Sequence, residues 1–305
     1  MNKISINTRD NSRFDAWVLP ASNPLATIHI LHGMAEHCLR YQSFAEFLHA
    51  EGYQVILHNH RGHGGREPLG HFADRDQAGI GGWELLMDDI ARAQNAVCGD
   101  EPRILFGHSM GSFIAQGYAM RHGDTLKALI LSGSNHQPGA LVAAGKTVAT
   151  LLRSVQGQRH LSGVMDTLSF GEFNRKFRPH RTAFDWLSRD DGQVDAYIQD
   201  PYCGHPVTLQ LWIDLLSGLQ ELARSDNMKK IPATLPVYIF GGDKDPVGQM
   251  GKGLPLLHKH FAQTGHDRVT LRLYPDGRHE MLNEINARDV FTDVVNWLKE
   301  AVWKP

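Results

Sequence analysis

The chain has 305 residues, more than one compact core usually holds, so one large domain with a sizeable insertion, or two domains, is the starting expectation. Hydrophobic residues make up 42% and charged residues 21%, proportions that can bury a full core and that exclude a disordered chain. A formal net charge of -2 supplies no field that would gather nucleic acid or an anionic membrane surface.

The three cysteines, Cys38, Cys98 and Cys203, are too sparse for a disulfide framework or a thiolate metal site, and a reducing cytoplasm fits them. Polar residues interrupt the stretch 1–10, so no signal peptide is expected there. No window approaches the roughly 20 apolar residues of a membrane span. A soluble, cytoplasmic protein without a transmembrane segment is therefore expected, and its oligomeric state is left open.

In chain order, residues 4–6 and 14–19 read as short strands, the second alternating as a half-buried strand does. A more buried strand covers 26–31, and a helix follows through 44–48. The next strand is 53–57. A helix over 83–97 puts Trp83, Leu86, Met87 and Ile90 at helical spacing, and then come a strand at 103–106, a helix at 111–121 and a strand at 126–131. Such alternation predicts an α/β protein with a mostly parallel, doubly wound sheet. After Ser132 the rhythm breaks. Residues 135–230 hold amphipathic stretches at 140–155 and 208–222 and a charged, aromatic segment at 174–189, but no strand series. Strands return at 236–240 and 269–274, and a helix over 289–302 follows. The reading is a core made of 1–134 and 231–305 with a helical cap, 135–230, inserted between late strands.

Residues 103–112 read Arg-Ile-Leu-Phe-Gly-His-Ser-Met-Gly-Ser, a G-x-S-x-G placed between a buried strand and a helix. A turn that tight strains the serine and leaves no room for side chains at Gly107 and Gly111. It lifts Ser109 clear of the sheet at a helix N-terminus, where free N–H groups and the helix dipole favour an anion. The motif alone also occurs in inert Gly-Ser turns; its strand–turn–helix setting marks Ser109 as a nucleophile. Upstream, the strand ends in His32-Gly33-Met34. In a fold of this kind the oxyanion donors come from the loop after the third strand and from the residue after the nucleophile. Those are the backbone N–H groups of Met34 and Met110, with Gly33 allowing close approach.

His-Gly-Met-Ala-Glu-His…Arg-Tyr at 32–41, Asn-His-Arg-Gly-His-Gly at 59–64 and Gly-His-Ser-Met-Gly at 107–111 occur in that order. Together they resemble the monoacylglycerol lipase and lysophospholipase-like branch of the α/β-hydrolases, over most of 26–135 and 236–300. The chain departs from that pattern at Asn59, where the family usually carries Asp in a loop beside the site. His58, His60 and His63 could suggest a metal centre, but no carboxylate or thiolate joins them at ligand spacing, and loop packing is the better reading. No metal or organic cofactor is required.

A serine nucleophile needs a base, and the base needs an orienting carboxylate, following the serine in the order acid then histidine. The strand at 236–240 runs into Gly-Gly-Asp-Lys-Asp-Pro-Val, where Asp243 and Asp245 compete. The family pattern places the acid before Pro-Val and so implies Asp245, which could equally cap a helix started by Pro246. His279 is the last of 18 histidines, follows the last strand and has Gly277 beside it, and is the expected base. Glu280 reads as a supporting or capping residue.

The resemblance implies a serine carboxylic-ester hydrolase acting on a small lipid-derived ester, a lysophospholipid or monoacylglycerol. One alternative is an exopeptidase of the prolyl aminopeptidase type, which needs an acidic group in the cap to hold an amine; Glu172, Asp185, Asp190, Asp191 and Asp195 are candidates. A carboxylesterase for small esters suits the polar 174–189 segment. A binding protein without turnover would be expected to lack a triad member, and all three are present.

Overall fold

The computed structural model describes residues 1–74, 80–136, 139–171 and 173–303. Eight strands form one sheet in the order β1-β2-β4-β3-β5-β6-β7-β8. They are β1 (Asn2–Asn7), β2 (Arg13–Leu19), β3 (Thr27–Leu31), β4 (Gln54–His58), β5 (Arg103–His108), β6 (Leu126–Ser132), β7 (Val237–Gly242) and β8 (Val269–Tyr274). From β4 to β8 all neighbours are parallel, and β1 and β2 form an antiparallel edge. The α/β-hydrolase architecture expected from the sequence is present.

The central strands are apolar at nearly every position because both faces of the sheet are covered. The period of two sorts their side chains. Leu31, Leu105, Leu129, Leu131, Val237 and Ile239 point into one core. It is shared with α2 (Gly82–Val97), α3 (Met110–His122) and α9 (Gly253–Gln263). Ile28, Ile30, Ile104, Phe106, Ala128, Ile130, Tyr238 and Phe240 point into the other. That core is closed by α1 (Gln42–Ala50) and α10 (Ala287–Trp297).

Between β6 and β7 the chain forms α4 (Gly139–Gln156), α5 (Gly163–Phe170), α6 (Asp191–Gln199), α7 (Leu209–Leu222) and α8 (Ser225–Met228), and among the described residues it adds no strand to the sheet. The buried indole of Trp83 on α2 seats α7 on the core. A Cβ built at Gly218 of α7 would come within 2.4 Å of the ring, and one at Gly117 of α3 within 2.7 Å. The Trp83 Nε1–H donates to Glu221 at 3.2 Å.

Strand ends shift from the sequence reading by a residue or two, and two features near helices differ by more. No helix starts at Pro246: Gln249, Met250 and Gly251 take positive φ, so the chain turns repeatedly and α9 begins only at Gly253. The last helix is not continuous to 302, since α10 ends at Trp297 and residues 298–303 wind more loosely as a π-helix. No helix among the described residues is long and apolar enough to cross a membrane.

The Trp83 contact makes a test with a sign. Ala normally gains up to about 1 kcal/mol over Gly inside a helix. At Gly145 of α4 the nearest atoms to a new Cβ lie 3.8 Å away, so Gly145→Ala stabilises the protein by that order. Gly218→Ala instead destabilises by about 1–3 kcal/mol through overpacking on the indole. Urea midpoints of the two variants read the difference; equal signs would mean that α7 does not rest on Trp83.

Candidate active site

The strained turn predicted at Ser109 is visible in its backbone, φ 51° and ψ -120°, a region that L-residues rarely occupy. Its surroundings hold it there. A Cβ at Gly107 would lie 2.3 Å from the Gly111 carbonyl oxygen, and one at Gly111 2.2 Å from that of Leu31. The two glycines therefore let β5, α3 and the end of β3 pack backbone to backbone. Ser109 N–H donates to the Ser132 carbonyl at 2.9 Å, which ties the turn to β6.

The carboxyl ends of parallel strands are where loops converge in open α/β sheets. Gly33 and Met34 follow β3, Ser109 follows β5, Asp245 follows β7 and His279 follows β8. Met34, Ser109 and His279 line one cavity of about 270 Å³, walled also by Phe184, Trp186, Leu187, Val207 and Val247. A Cβ at Gly33 would approach the Ser109 Cβ to 3.2 Å, so the loop after β3 lies against the serine. Met110 opens α3, and its N–H has no intrahelical acceptor.

Asp245 is fully buried behind the cavity. Its Oδ1 accepts from Val247 N–H at 2.8 Å and lies 3.0 Å from His279 Nδ1. That bond puts the imidazole proton on Nδ1 and leaves Nε2 as the basic nitrogen. Asp243 is turned elsewhere: its Oδ1 accepts from Asp276 N–H at 2.8 Å, and Lys244 lies 3.3 Å from it. Of the two competing acids, then, only Asp245 meets the imidazole in this geometry. Burial opposes a charge on His279, but the Asp245 carboxylate outweighs it and raises the pKa.

The segment between β6 and β7 is bonded directly to the His279 loop. His279 N–H donates to the Trp186 carbonyl at 3.4 Å, and Glu280 N–H to that of Leu187 at 2.8 Å. The Arg278 guanidinium bonds the carbonyls of Asp185 and Ser188 and stacks on Phe177, 4.6 Å from the ring centre. The Trp186 indole lies 5.1 Å from the imidazole, centre to centre.

His29, His32, His58, His60 and His63 pack against one another beside the site. His29 Nε2 and His58 Nδ1 are hydrogen-bonded at 2.8 Å, and His32, His60 and His63 lie within tilted ring contacts. Asn59 works as an amide: Oδ1 accepts from Cys38 N–H at 2.9 Å while Nδ2 donates to the Gly64 carbonyl at 2.8 Å. A carboxylate could not make the second bond, so the local loop geometry suits the Asn that departs from the family pattern. Among the described residues one set of potential metal ligands, His37, Asp200 and Cys203, comes within 4.8 Å; its His37–Asp200 pair is already bonded at 2.8 Å.

Of the acidic residues considered for holding an amine, Glu172 lies outside the described residues. Asp185 accepts the backbone N–H groups of Arg181 and Thr182, Asp190 caps α6, and Asp191 and Asp195 pair with Arg181. The carboxyl from this segment that does line the cavity is Asp166, on α5. Burial raises its pKa, against a hydrogen bond from Trp212. Asp166 belongs to none of the motifs read in the sequence, and only the fold places it at the cavity.

Residues 22–286 match the family described as Serine aminopeptidase, S33. A monoacylglycerol lipase of Mycolicibacterium smegmatis is 28% identical over 93% of this chain and 91% of its own length. A phospholipase of Bacillus subtilis, YtpA, is 31% identical over 90% and 95%. The structure of a thermostable carboxyl esterase from Bacillus coagulans, solved with glycerol, superposes with a TM-score of 0.88 at 27% identity, covering 99% of this chain and 98% of that one.

The imidazoles predict two titration behaviours, readable by NMR of the ring nitrogens. Burial pushes His29 and His32 down to about 3, so both stay neutral from pH 5 to 8. His279 titrates above the ordinary value of about 6.5, with its Nδ1–H retained. A His279 ring that titrated below about 6.5 would show that Asp245 does not offset its burial.

Proposed function

The chain belongs to the serine aminopeptidase, S33 family of α/β-hydrolases, and we propose that it hydrolyses the ester of a monoacyl lipid through an acyl-enzyme on Ser109. The observation that carries this reading is the convergence of Ser109 and an Asp245-bonded His279 on a cavity with an apolar wall. Its lipase and phospholipase relatives support a lipid ester in that cavity.

In this mechanism Ser109 Oγ attacks the ester carbonyl while His279 Nε2 takes its proton. Asp245 holds the imidazole tautomer and stabilises the imidazolium. The Met34 and Met110 N–H groups, with the dipole of α3 behind the second, stabilise the oxyanion. His279 then protonates the leaving alcohol, and water, deprotonated by the same imidazole, releases the acid. Residues 135–230 act as the cap: Phe184, Trp186, Leu187 and Val207 pack on the acyl chain. Asp166 can hydrogen-bond a headgroup hydroxyl. The unpaired cysteines suit a cytoplasmic setting.

The aminopeptidase alternative is less well supplied. The cap acids considered for it, Asp185, Asp190, Asp191 and Asp195, do not line the cavity, and Glu36 and Glu280, which do, bond Arg40; among the described residues Asp166 is the cap carboxyl left at the cavity to meet an amine. A panel of monoacylglycerol, lysophospholipid and aminoacyl amide decides: turnover of the amide well above both esters would overturn the lipid reading.

Ser109→Ala lowers ester turnover by roughly 10⁴–10⁶ and abolishes fluorophosphonate labelling. More than about a tenth of wild-type kcat in that variant would remove Ser109 as nucleophile. Asp245→Asn costs about 10⁴ in kcat by favouring the wrong tautomer. Asp243→Asn keeps its acceptor for Asp276 and changes activity little, with at most about 1 kcal/mol of stability lost. Circular dichroism confirms folding in each, and the reverse ranking would move the triad acid to Asp243.

A further inference from the structure

A largely covered arginine stands between the two loops that meet at Ser109. Arg40 Nη1 donates to Glu36 Oε2 and to Glu280 Oε1, each at 2.6 Å, and Nη2 donates to Glu280 Oε2 at 2.7 Å. Both carboxylates are almost wholly buried, at 3% and 5% exposure. Glu36 Oε1 turns back to accept Gly33 N–H at 2.5 Å and Tyr41 O–H at 2.7 Å. Glu280 follows His279 directly, and its Oε2 also accepts from Asn283 at 3.0 Å. The guanidinium lies 4.8 Å from the ring centre of Tyr197, whose hydroxyl donates to the Ala35 carbonyl at 2.9 Å.

We propose that Arg40 is a positioning residue of the hydrolytic centre, joining the Gly33–Glu36 turn to the His279 loop so that the oxyanion amide and the imidazole keep a fixed separation. This rests on the proposed roles of Ser109, His279 and Met34. A rigid fork with bidentate geometry fixes orientation as well as distance, which a lone point charge would not. The two acids also explain why a cation must stand there. Buried carboxylates facing one gap repel, and removing the arginine leaves a charge that is unpaired and out of water. The arrangement carries one net negative charge beside the imidazole. His279 is otherwise faced by Asp245 from the turn after β7 and by His108 at the end of β5, with ring centres 4.7 Å apart; burial holds His108 neutral.

Glu280→Gln is the leading test, because it keeps size and one acceptor while removing that net charge. Its kcat for a short activated ester falls by up to about 100-fold, the scale of a displacement near 1 Å, with KM little changed. The acid limb of its kcat/KM profile moves to lower pH, since the lost negative charge no longer favours the imidazolium. Arg40→Met loses at least as much kcat, and the double variant loses no more kcat than Arg40→Met alone, because Glu280 positions the His279 loop through Arg40 even though its charge also reaches the imidazole directly. If Arg40→Met fails to fold, Arg40→Lys, which keeps the charge but not the fork, takes its place in the cycle. An unmoved acid limb in Glu280→Gln, or losses that multiply in the double variant, overturns the proposal. Wild type that a fluorophosphonate fails to label at Ser109 would instead overturn the reading of the site on which it rests.

Discussion

The rest of the site depends on a backbone contact, the closeness of the turn at Ser109 to the end of β3. At Gly111 the helix α3 runs so near the Leu31 carbonyl that no side chain fits between them. That approach brings the loop at Gly33 against the serine, and it is possible only because Ser109 accepts a strained φ of 51°. A strained conformation persists where surrounding structure over-determines it. Here the hydrogen bond to Ser132 and the packing of three backbone segments do so. The strain and the glycines are one feature: a larger residue at either glycine would push the loop away and relax the turn.

Electrostatic environment then separates one histidine from the others. His29, His32, His58, His60, His63 and His108 are as buried as His279. All are held neutral by burial, and among the described residues none has a carboxylate hydrogen-bonded to it. His279 has Asp245, and the sign of its shift reverses. The same ring thus serves as a compact packing group in one place and as a proposed base in another, and the difference is a single buried partner.

The helical segment is not suspended over the cavity on its two connections. Trp186 and Leu187 accept backbone hydrogen bonds from the His279 loop, Arg278 grips two more carbonyls, and Arg189 reaches the buried Glu284 at 2.9 Å. The wall that would meet the acyl chain and the loop that carries the imidazole are therefore one packed unit. The cavity wall and the His279 loop are thus held by the same contacts, while α7 anchors the far side of the segment on Trp83.

Local patterns in the sequence determined the sheet strands, the helices between them, the break in rhythm after Ser132 and the turn at Ser109, because period and tight-turn chemistry act between near neighbours. The same patterns singled out His279 as the expected base by its place after the last strand. Periodicity and turn chemistry could not choose between Asp243 and Asp245, two positions apart on one turn; the family resemblance implied Asp245, and it is the loop after β8 that puts Asp245 against the imidazole and Asp243 on Asp276 N–H. Asp166, absent from every motif, reaches the cavity through the packing of α5. Arg40 and Glu280 could be read as polar residues near motifs, yet they lie far apart in the chain and meet only because β3 and β8 deliver their loops to the same end of the sheet. Contacts between distant segments depend on the summed packing of the whole core, and that sum is decided in the tertiary structure.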